Sequence, residues 1–391
     1  MNGAMEVKWK EYKVSISEAA IEDLHHRLTQ TRWPDEVEGA SWNYGIPVAY
    51  MREIVDYWIH KFDWKTVEKR INSFNQYKAD IEGIGIHFVY EKGRGPNPRP
   101  LLLLHGWPSS YYEMLDLVPY LTDPAKFGGN PGSSFDVIIP SIPGHGFSDR
   151  PSLPGFEDGR AASLFVSLMN SLGYDRFGIH AYDLGASISE LLCIRYPDAV
   201  FGYHTTSPGI PWTCIPSESH SMSKEEQQYL AYMQTWVQEE SGYSHILGTR
   251  PQTLAYGLND SPAGLAAFIL EKWYVWTAPP SGRLADHFKM DDLIANLAIY
   301  WFTQTINSAN RYYYEGKHIK WPKPGETVQV PFGAALSATQ LFERPPIEYV
   351  RRFFTNIIKW KELHAGGHFV ALEEPELISR TIQEFFDELL M

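Results

Sequence analysis

The spacing of apolar residues changes along the chain, and each change predicts a different kind of element. In residues 17–31, apolar side chains recur every three or four positions after Ser17, whose hydroxyl can cap a helix. This pattern predicts one helix there, and a second is predicted over residues 48–61. From Tyr77 onward the apolar runs become short and are separated by turn residues, which is typical of strands.

Predicted strands and helices alternate through the middle and the end of the chain. The strands cover residues 77–81, 84–90, 101–104, 135–140, 177–182, 200–205, 331–336 and 357–363. Among the helices, one ends near residue 121 and the others cover residues 159–172 and 375–390. Such alternation indicates parallel βαβ units, and therefore an α/β fold with a doubly wound, mostly parallel sheet.

Residues 208–323 interrupt this alternation with a long helical and aromatic segment. Its clearest helices cover residues 229–240, 264–276 and 293–302. We expect the segment to form a cap over the carboxyl ends of the strands, where open α/β sheets bind ligands. The predicted organisation is an N-terminal meander packed on the core (1–95), a first part of the core (96–207), the helical cap (208–323) and a second part of the core (324–391).

Composition narrows the class of protein. The 391 residues are 44% hydrophobic, which is enough for one large domain with elaborations. A net charge of −13 argues against nucleic acid or an anionic membrane surface as a partner. The two cysteines, Cys193 and Cys214, form neither a disulfide framework nor a metal-ligand spacing, and no apolar run is long enough to span a membrane. We therefore expect a soluble, cytoplasmic protein without a bound metal.

The segment Gly178–Ser187 carries the first chemical signal. It reads as a buried strand, a sharp turn at Asp183 and a helix, with small residues at Ala181 and Gly185. This is the pattern of a nucleophile elbow, with an aspartate where a serine is usual. The alternative is that Asp183 only caps the helix that follows.

Two loops after other predicted strands supply the partners of such a nucleophile. His368 follows two glycines after the last strand and comes after Asp183 in the chain, which is the expected order of nucleophile and histidine. The loop that starts at His105 follows an early strand, where an oxyanion-hole donor is expected. We assign the two donor N–H groups to Trp107 and Leu184.

Several motifs together resemble the epoxide hydrolases of the microsomal and juvenile-hormone type, which have the α/β-hydrolase fold. They are His105-Gly106-Trp107-Pro108, the Asp183 turn, Gly242-Tyr243 with Thr249-Arg250-Pro251-Gln252-Thr253, Arg311-Tyr312-Tyr313-Tyr314-Glu315 and Gly366-Gly367-His368-Phe369. Residues 5–95 are similar to the N-terminal domain of that family. Because no membrane anchor precedes them, the resemblance is to the soluble branch.

The resemblance implies hydrolysis of an ether bond in two steps, without a cofactor. Asp183 would open an epoxide to form an ester, and water activated by His368 would cleave that ester. Tyr243 and Tyr313 would donate hydrogen bonds to the epoxide oxygen, with Tyr312 and Tyr314 as rivals for the second position. The aromatic cap favours an apolar small-molecule epoxide as substrate. For the oligomeric state, a homodimer is one of the possibilities that the sequence leaves open.

The chain departs from the family pattern near both catalytic residues. Leu184 replaces the usual Trp after the nucleophile, and Ala181-Tyr182 replaces the usual Gly-Gly before it. Gln340 stands where the family carries the acid that supports the histidine. In serine proteases a comparable change from acid to amide lowers kcat about ten-thousandfold. Glu343, three residues later, is the alternative acid.

Two other functions stay open at this point. A haloalkane dehalogenase shares the Asp–His pair, but Leu184 and the paired tyrosine motifs count against it. A catalytically impaired member of the family that binds a small apolar ligand is the second alternative, and Gln340 is the residue in its favour.

Overall fold

The computed structural model describes residues 9–208, 222–279, 281–318, 325–339 and 343–389, and Gln340 lies outside them. These residues contain one sheet of nine strands in the order β1-β2-β3-β5-β4-β6-β7-β8-β9. The strands are β1 (Trp9–Glu11), β2 (Gln76–Ile81), β3 (Ile84–Glu91), β4 (Arg99–Leu104), β5 (Phe135–Pro140), β6 (Phe177–Ala181), β7 (Val200–Thr205), β8 (Phe332–Leu336) and β9 (Ile357–Glu362).

The sheet is antiparallel at one side and parallel through its centre. Strands β1, β2, β3 and β5 pair antiparallel, whereas β5, β4, β6, β7, β8 and β9 pair parallel in that order. Residues 101–104 of β4 are 0% exposed, as expected for a strand covered on both faces. The predicted domain boundary at residue 95 lies in the chain between β3 and β4. Both strands belong to this one sheet, because β3 is hydrogen-bonded to β5.

Register brings two strand ends together at the centre of the sheet. Leu104, the last residue of β4, pairs with Ala181, the last residue of β6. The loop after β4 and the turn after β6 therefore leave the sheet side by side. Because both strands are parallel, the His105 loop and Asp183 lie at the same carboxyl edge.

Helices outside the long insertion follow the predicted rhythm with small shifts. They are α1 (Glu18–Thr29), α2 (Val48–His60), α3 (Trp64–Ile71), α4 (Val118–Thr122), α5 (Asp158–Ser171) and α6 (Leu184–Arg195), and, near the end of the chain, α13 (Ile347–Arg351), α14 (Val370–Glu373) and α15 (Pro375–Glu388). Ser17 caps α1 as predicted, by accepting a hydrogen bond from the Ala20 N–H. A 3₁₀ helix, Tyr111–Leu117, precedes α4.

The helical insertion lies between β7 and β8. Its helices are α7 (Lys224–Glu240), α8 (Gly242–Leu247), α9 (Pro251–Leu258), α10 (Pro262–Thr277), α11 (Met290–Thr303) and α12 (Ile306–His318). The three predicted helices correspond to α7, α10 and α11, whereas α8, α9 and α12 add to the prediction. None of the described helices is long and apolar enough to cross a membrane.

The N-terminal helices rest on the helical insertion as well as on the core. Arg70 of α3 reaches Asp292 of α11 at 2.9 Å and Asp116 of the 3₁₀ helix at 2.7 Å. Trp42 stacks on Tyr274 of α10, with ring centroids 3.5 Å apart. The N-terminal region therefore contacts the insertion, which itself covers the carboxyl edge of the sheet.

Candidate active site

Asp183 occupies a strained turn between β6 and α6. Its backbone has φ 53° and ψ −130°, a conformation that residues other than glycine rarely adopt. A Cβ atom at Gly185 would lie 2.4 Å from the Leu104 carbonyl oxygen, and one at Gly106 would lie 2.3 Å from the Asp183 Cβ. The glycines are therefore needed for the close approach of the two loops, which is the geometry expected of a nucleophile elbow.

One oxygen of Asp183 is held by two backbone amides. Oδ1 accepts hydrogen bonds from the Trp107 N–H at 2.8 Å and from the Leu184 N–H at 2.6 Å. The Trp107 indole N–H in turn donates to Oδ1 of Asn310 in α12, at 3.0 Å. These are the two amides that the sequence assigned to an oxyanion hole. The arrangement leaves Oδ2 available to react.

His368 faces the second oxygen of Asp183. Its Nε2 lies 3.2 Å from Oδ2, and its side chain is only 4% exposed. The imidazole makes edge-to-face ring contacts with Tyr182, Trp276 and Phe369, at centroid distances of 5.8, 5.0 and 4.9 Å. Tyr182, which departs from the family pattern, thus fills the space beside the histidine.

Tyr243 of α8 and Tyr313 of α12 bring their hydroxyl groups to the same pocket. Their ring centroids are 5.8 Å apart, and both rings pack on the Trp107 indole at 5.4 and 5.3 Å. Burial, and then the charge of Asp183, raises the pKa of Tyr243, and burial raises the pKa of Tyr313 well above its usual value. Both phenols therefore stay protonated and can donate hydrogen bonds.

The two rival tyrosines are placed differently. The Tyr312 hydroxyl donates to the Pro143 carbonyl at 2.9 Å, so its proton is engaged away from Asp183. Tyr314 is 37% exposed, and its ring contacts His318. Of the three consecutive tyrosines, the hydroxyl of Tyr313 is the one that interacts with that of Tyr243.

A pocket of about 590 Å³ opens over Asp183 and His368. Its lining includes Leu184, Ala186, Tyr243, Tyr312 and Tyr313, together with the polar residues Asp158, Ser187, Glu190 and Ser207. The pocket wall is therefore mixed rather than uniformly apolar.

Asp158 in the pocket lining was not predicted as a site residue. Its Oδ2 accepts a hydrogen bond from the Ser187 hydroxyl at 2.6 Å. Burial raises the pKa of Asp158 to about 7. In the sequence it appears only as an acidic residue directly before a helix predicted over residues 159–172, which is an ordinary position for a carboxylate.

The loop after β8 reaches the histidine loop, because the Thr339 N–H donates to the Gly366 carbonyl at 3.1 Å. Gln340, the predicted acid position, falls outside the described residues. Glu343 is exposed and lies near Tyr232 of α7. In the part of the chain that the structure describes, no hydrogen bond or ion pair joins Glu343 to His368. The support of His368 by either residue stays a prediction.

Sequence reasoning also missed Glu373, a buried carboxylate next to the histidine loop. It accepts a hydrogen bond from the Gly367 N–H at 2.7 Å. The signal available in the sequence was its position five residues after His368, directly after the apolar residues 369–372.

Comparisons with known proteins find similar proteins along almost the whole chain. Residues 9–114 match the family model described as the epoxide hydrolase N terminus, and residues 99–244 match that of the alpha/beta hydrolase fold. The chain is 36% identical over 410 residues to epoxide hydrolase 1 of Oryctolagus cuniculus, which covers 96% of this chain and 88% of that protein.

Solved structures of similar proteins cover almost the whole chain. The crystal structure of juvenile hormone epoxide hydrolase from the silkworm Bombyx mori superposes with a TM-score of 0.84 at 30% identity, over 98% of this chain and 94% of the other. Epoxide hydrolase from Aspergillus niger gives a TM-score of 0.85 at 26% identity, over 98% and 97% of the two chains.

Proposed function

Because the chain belongs to the epoxide hydrolases, with their α/β-hydrolase fold, and is therefore an enzyme that hydrolyses epoxides, we propose that it forms a vicinal diol through an ester on Asp183. One observation carries this proposal. Asp183 has one oxygen on two backbone amides and the other 3.2 Å from the imidazole of His368.

In the first step, Oδ2 of Asp183 attacks one carbon of the epoxide ring. A new carbon–oxygen bond forms while the ring C–O bond breaks, and the negative charge moves to the former epoxide oxygen. Tyr243 and Tyr313 donate hydrogen bonds to that oxygen, and one of them supplies the proton that makes it a hydroxyl. Removing one donor of this kind typically lowers kcat by about 100-fold to 1,000-fold.

In the second step, His368 removes a proton from a water molecule that attacks the ester carbonyl. The carbonyl oxygen is Oδ1, so the charge that develops on it falls on the Trp107 and Leu184 N–H groups. The ester C–O bond then breaks, and the leaving oxygen of the diol takes the proton held by His368. The proton that remains on the new carboxyl group returns to the tyrosine that was deprotonated in the first step, which restores the Asp183 carboxylate. No cofactor takes part in the proposed sequence.

The helical insertion acts as a cap in this proposal, because it supplies Tyr243 and Tyr313 from above the sheet. The aromatic rings that line the pocket suit the apolar body of a small epoxide, while Asp158 and Ser187 make part of the lining polar. Haloalkane dehalogenation is less well supported, because the phenols of Tyr243 and Tyr313 line the pocket that contains Asp183.

Either Gln340 or Glu343 supports His368 in this reaction. If Gln340 holds the acid position, Gln340→Glu should raise the rate of ester hydrolysis, since a carboxylate stabilises the imidazolium by charge. If Glu343 is the acid, Glu343→Gln should abolish turnover instead. Rates of ester decay in single-turnover experiments separate the two assignments.

Turnover of styrene oxide and other epoxides tests the function directly. We expect a vicinal diol as product and no halide release from haloalkanes. Mass spectrometry of protein quenched during turnover should show Asp183 carrying the mass of the substrate. No diol across a broad epoxide panel would exclude the activity and favour the impaired, ligand-binding alternative. Normal activity with unmodified Asp183 would exclude the ester route.

A further inference from the structure

The carboxylate of Glu373 lies directly behind the loop that carries His368, and the two proposed steps do not use it. Its side chain is only 2% exposed. Oε2 accepts a hydrogen bond from the Gly367 N–H at 2.7 Å and lies 2.5 Å from Nε2 of His287. His287 belongs to the helical insertion, between α10 and α11. One buried oxygen therefore joins two segments that are distant in the chain.

Gly367 allows this contact because it has no side chain. A Cβ atom there would lie 3.0 and 3.1 Å from the two oxygens of Glu373, and 3.1 Å from the Cα atom of Thr277 in α10. The loop thus runs in a narrow space between Glu373 and the insertion. Since Gly367 directly precedes His368, the position of its amide fixes the backbone from which the imidazole projects.

The charged neighbours of Glu373 favour an ion pair with His287. The hydrogen bond to Glu373 raises the pKa of His287, and the charge of Glu374 acts in the same direction. Glu113, in the 3₁₀ helix before α4, packs nearby, and burial raises its pKa well above its usual value. Glu113 therefore stays protonated and adds no charge beside Glu373 at neutral pH.

We propose that Glu373 is a positioning residue for His368. It holds His368 in place by linking the histidine loop to His287 of the helical insertion. This inference rests on the proposed function, because it takes His368 as the base of the second step. Attack by Asp183 does not need that base. Loss of Glu373 therefore slows hydrolysis of the ester and spares its formation.

The two steps can be measured separately in single-turnover experiments with styrene oxide. Glu373→Ala removes both contacts and should slow ester hydrolysis by about 100-fold, the size expected when a reacting group is misplaced by about 1 Å. Glu373→Gln keeps an oxygen for the Gly367 amide and should lose less. His287→Gln removes only the ion pair and should have a smaller effect than Glu373→Ala. In all three variants, the rate of ester formation stays close to wild type.

Glu376→Gln is the matched control, because Glu376 is an exposed glutamate on α15 paired with Arg380 at 2.5 Å. It should leave both rates unchanged. If the Glu373 and His287 variants slow both steps equally, or neither step, Glu373 does not position the base. If Glu373→Ala does not fold, Glu373→Gln and His287→Gln decide the result. If the wild-type protein forms no ester on Asp183, the proposed function itself is wrong. If the wild type forms and hydrolyses the ester and the variants do so at the same rates, only the role of Glu373 is wrong.

Discussion

Asp183 and His368 lie 3.2 Å apart, yet different kinds of contact hold them in place. The Asp183 turn is shaped by backbone that is local to two adjacent strands, with Gly185 against Leu104 and the Leu184 amide on Oδ1. His368 sits in a loop that the insertion helps to hold in place. Trp276 of the insertion packs on its ring, and Glu373 links its loop to the insertion.

This difference separates two ways of building a catalytic pair. We expect a turn that is fixed by steric exclusion and by nearby backbone amides to depend little on whether the insertion is seated. A loop fixed by side chains from another segment depends on that segment being in place. Preorganisation of the nucleophile is therefore a property of the core, whereas preorganisation of the base is shared with the insertion.

His368→Gln should separate the two residues most strongly. Ester formation on Asp183 continues, because it does not need the imidazole, whereas hydrolysis of the ester and steady-state turnover fall by about a thousandfold or more. Intact-protein mass spectrometry should then show a stable ester. Asp183→Asn is the control and should show no added mass. A His368→Gln protein that stays unmodified with substrate would contradict the separation of roles.

Asp158→Asn tests the pH dependence of stability near the Asp183 turn. Asp158 lies there because it accepts a hydrogen bond from Ser187 of α6, the helix that follows the turn. Burial raises the pKa of Asp158 to about 7, above the value of about 3.9 in an unfolded chain. Between these values the folded protein holds a proton that the unfolded chain has released, so stability falls as the pH rises.

In the wild type, this effect lowers the free energy of unfolding by up to about 4 kcal/mol between pH 4 and pH 7, and in the Asn variant it should be absent. Urea unfolding at a series of pH values measures it. Exposed Asp175→Asn is the control and should keep the wild-type profile. A variant and a wild type with the same slope would show that Asp158 is not the titrating group.

Gly185→Ala tests the local origin of the Asp183 turn. The added Cβ would lie 2.4 Å from the Leu104 carbonyl oxygen and 2.6 Å from that of His105, and backbone atoms cannot move away easily. We expect a loss of about 1–3 kcal/mol in the free energy of unfolding, as is typical of overpacking. Gly257→Ala in α9 meets nothing within 4 Å and serves as the control. Equal stabilities for the two variants would argue against steric control of the turn.

Much of the fold was predictable because strands and long amphipathic helices carry a strong local signal. Strands β5 and β7 have the predicted bounds, Phe135–Pro140 and Val200–Thr205. Helices α8 and α9 were missed because six and eight residues give too few turns for a clear periodicity. Helix α12 was missed because polar and aromatic residues fill most of its sequence.

The three consecutive tyrosines show why part of the site could not be read from the sequence. Successive residues on a helix point about 100° apart, so three neighbours must face three directions. The Tyr312 hydroxyl donates to the Pro143 carbonyl, the Tyr313 hydroxyl interacts with that of Tyr243, and Tyr314 is exposed. The resemblance to the family favoured Tyr313, but the packing of α12 on the core determines which hydroxyl is available in the pocket.

By itself, the sequence determined much of the order of strands and helices, the turn at Asp183 and the candidate histidine, because these depend on local spacing and on small residues at a tight turn. Tertiary structure alone decided that Asp158 is buried on the pocket wall and that Glu373 joins the histidine loop to His287. Both carboxylates occupy ordinary positions on helices. Their chemistry comes from desolvation and from partners brought together only when distant segments pack.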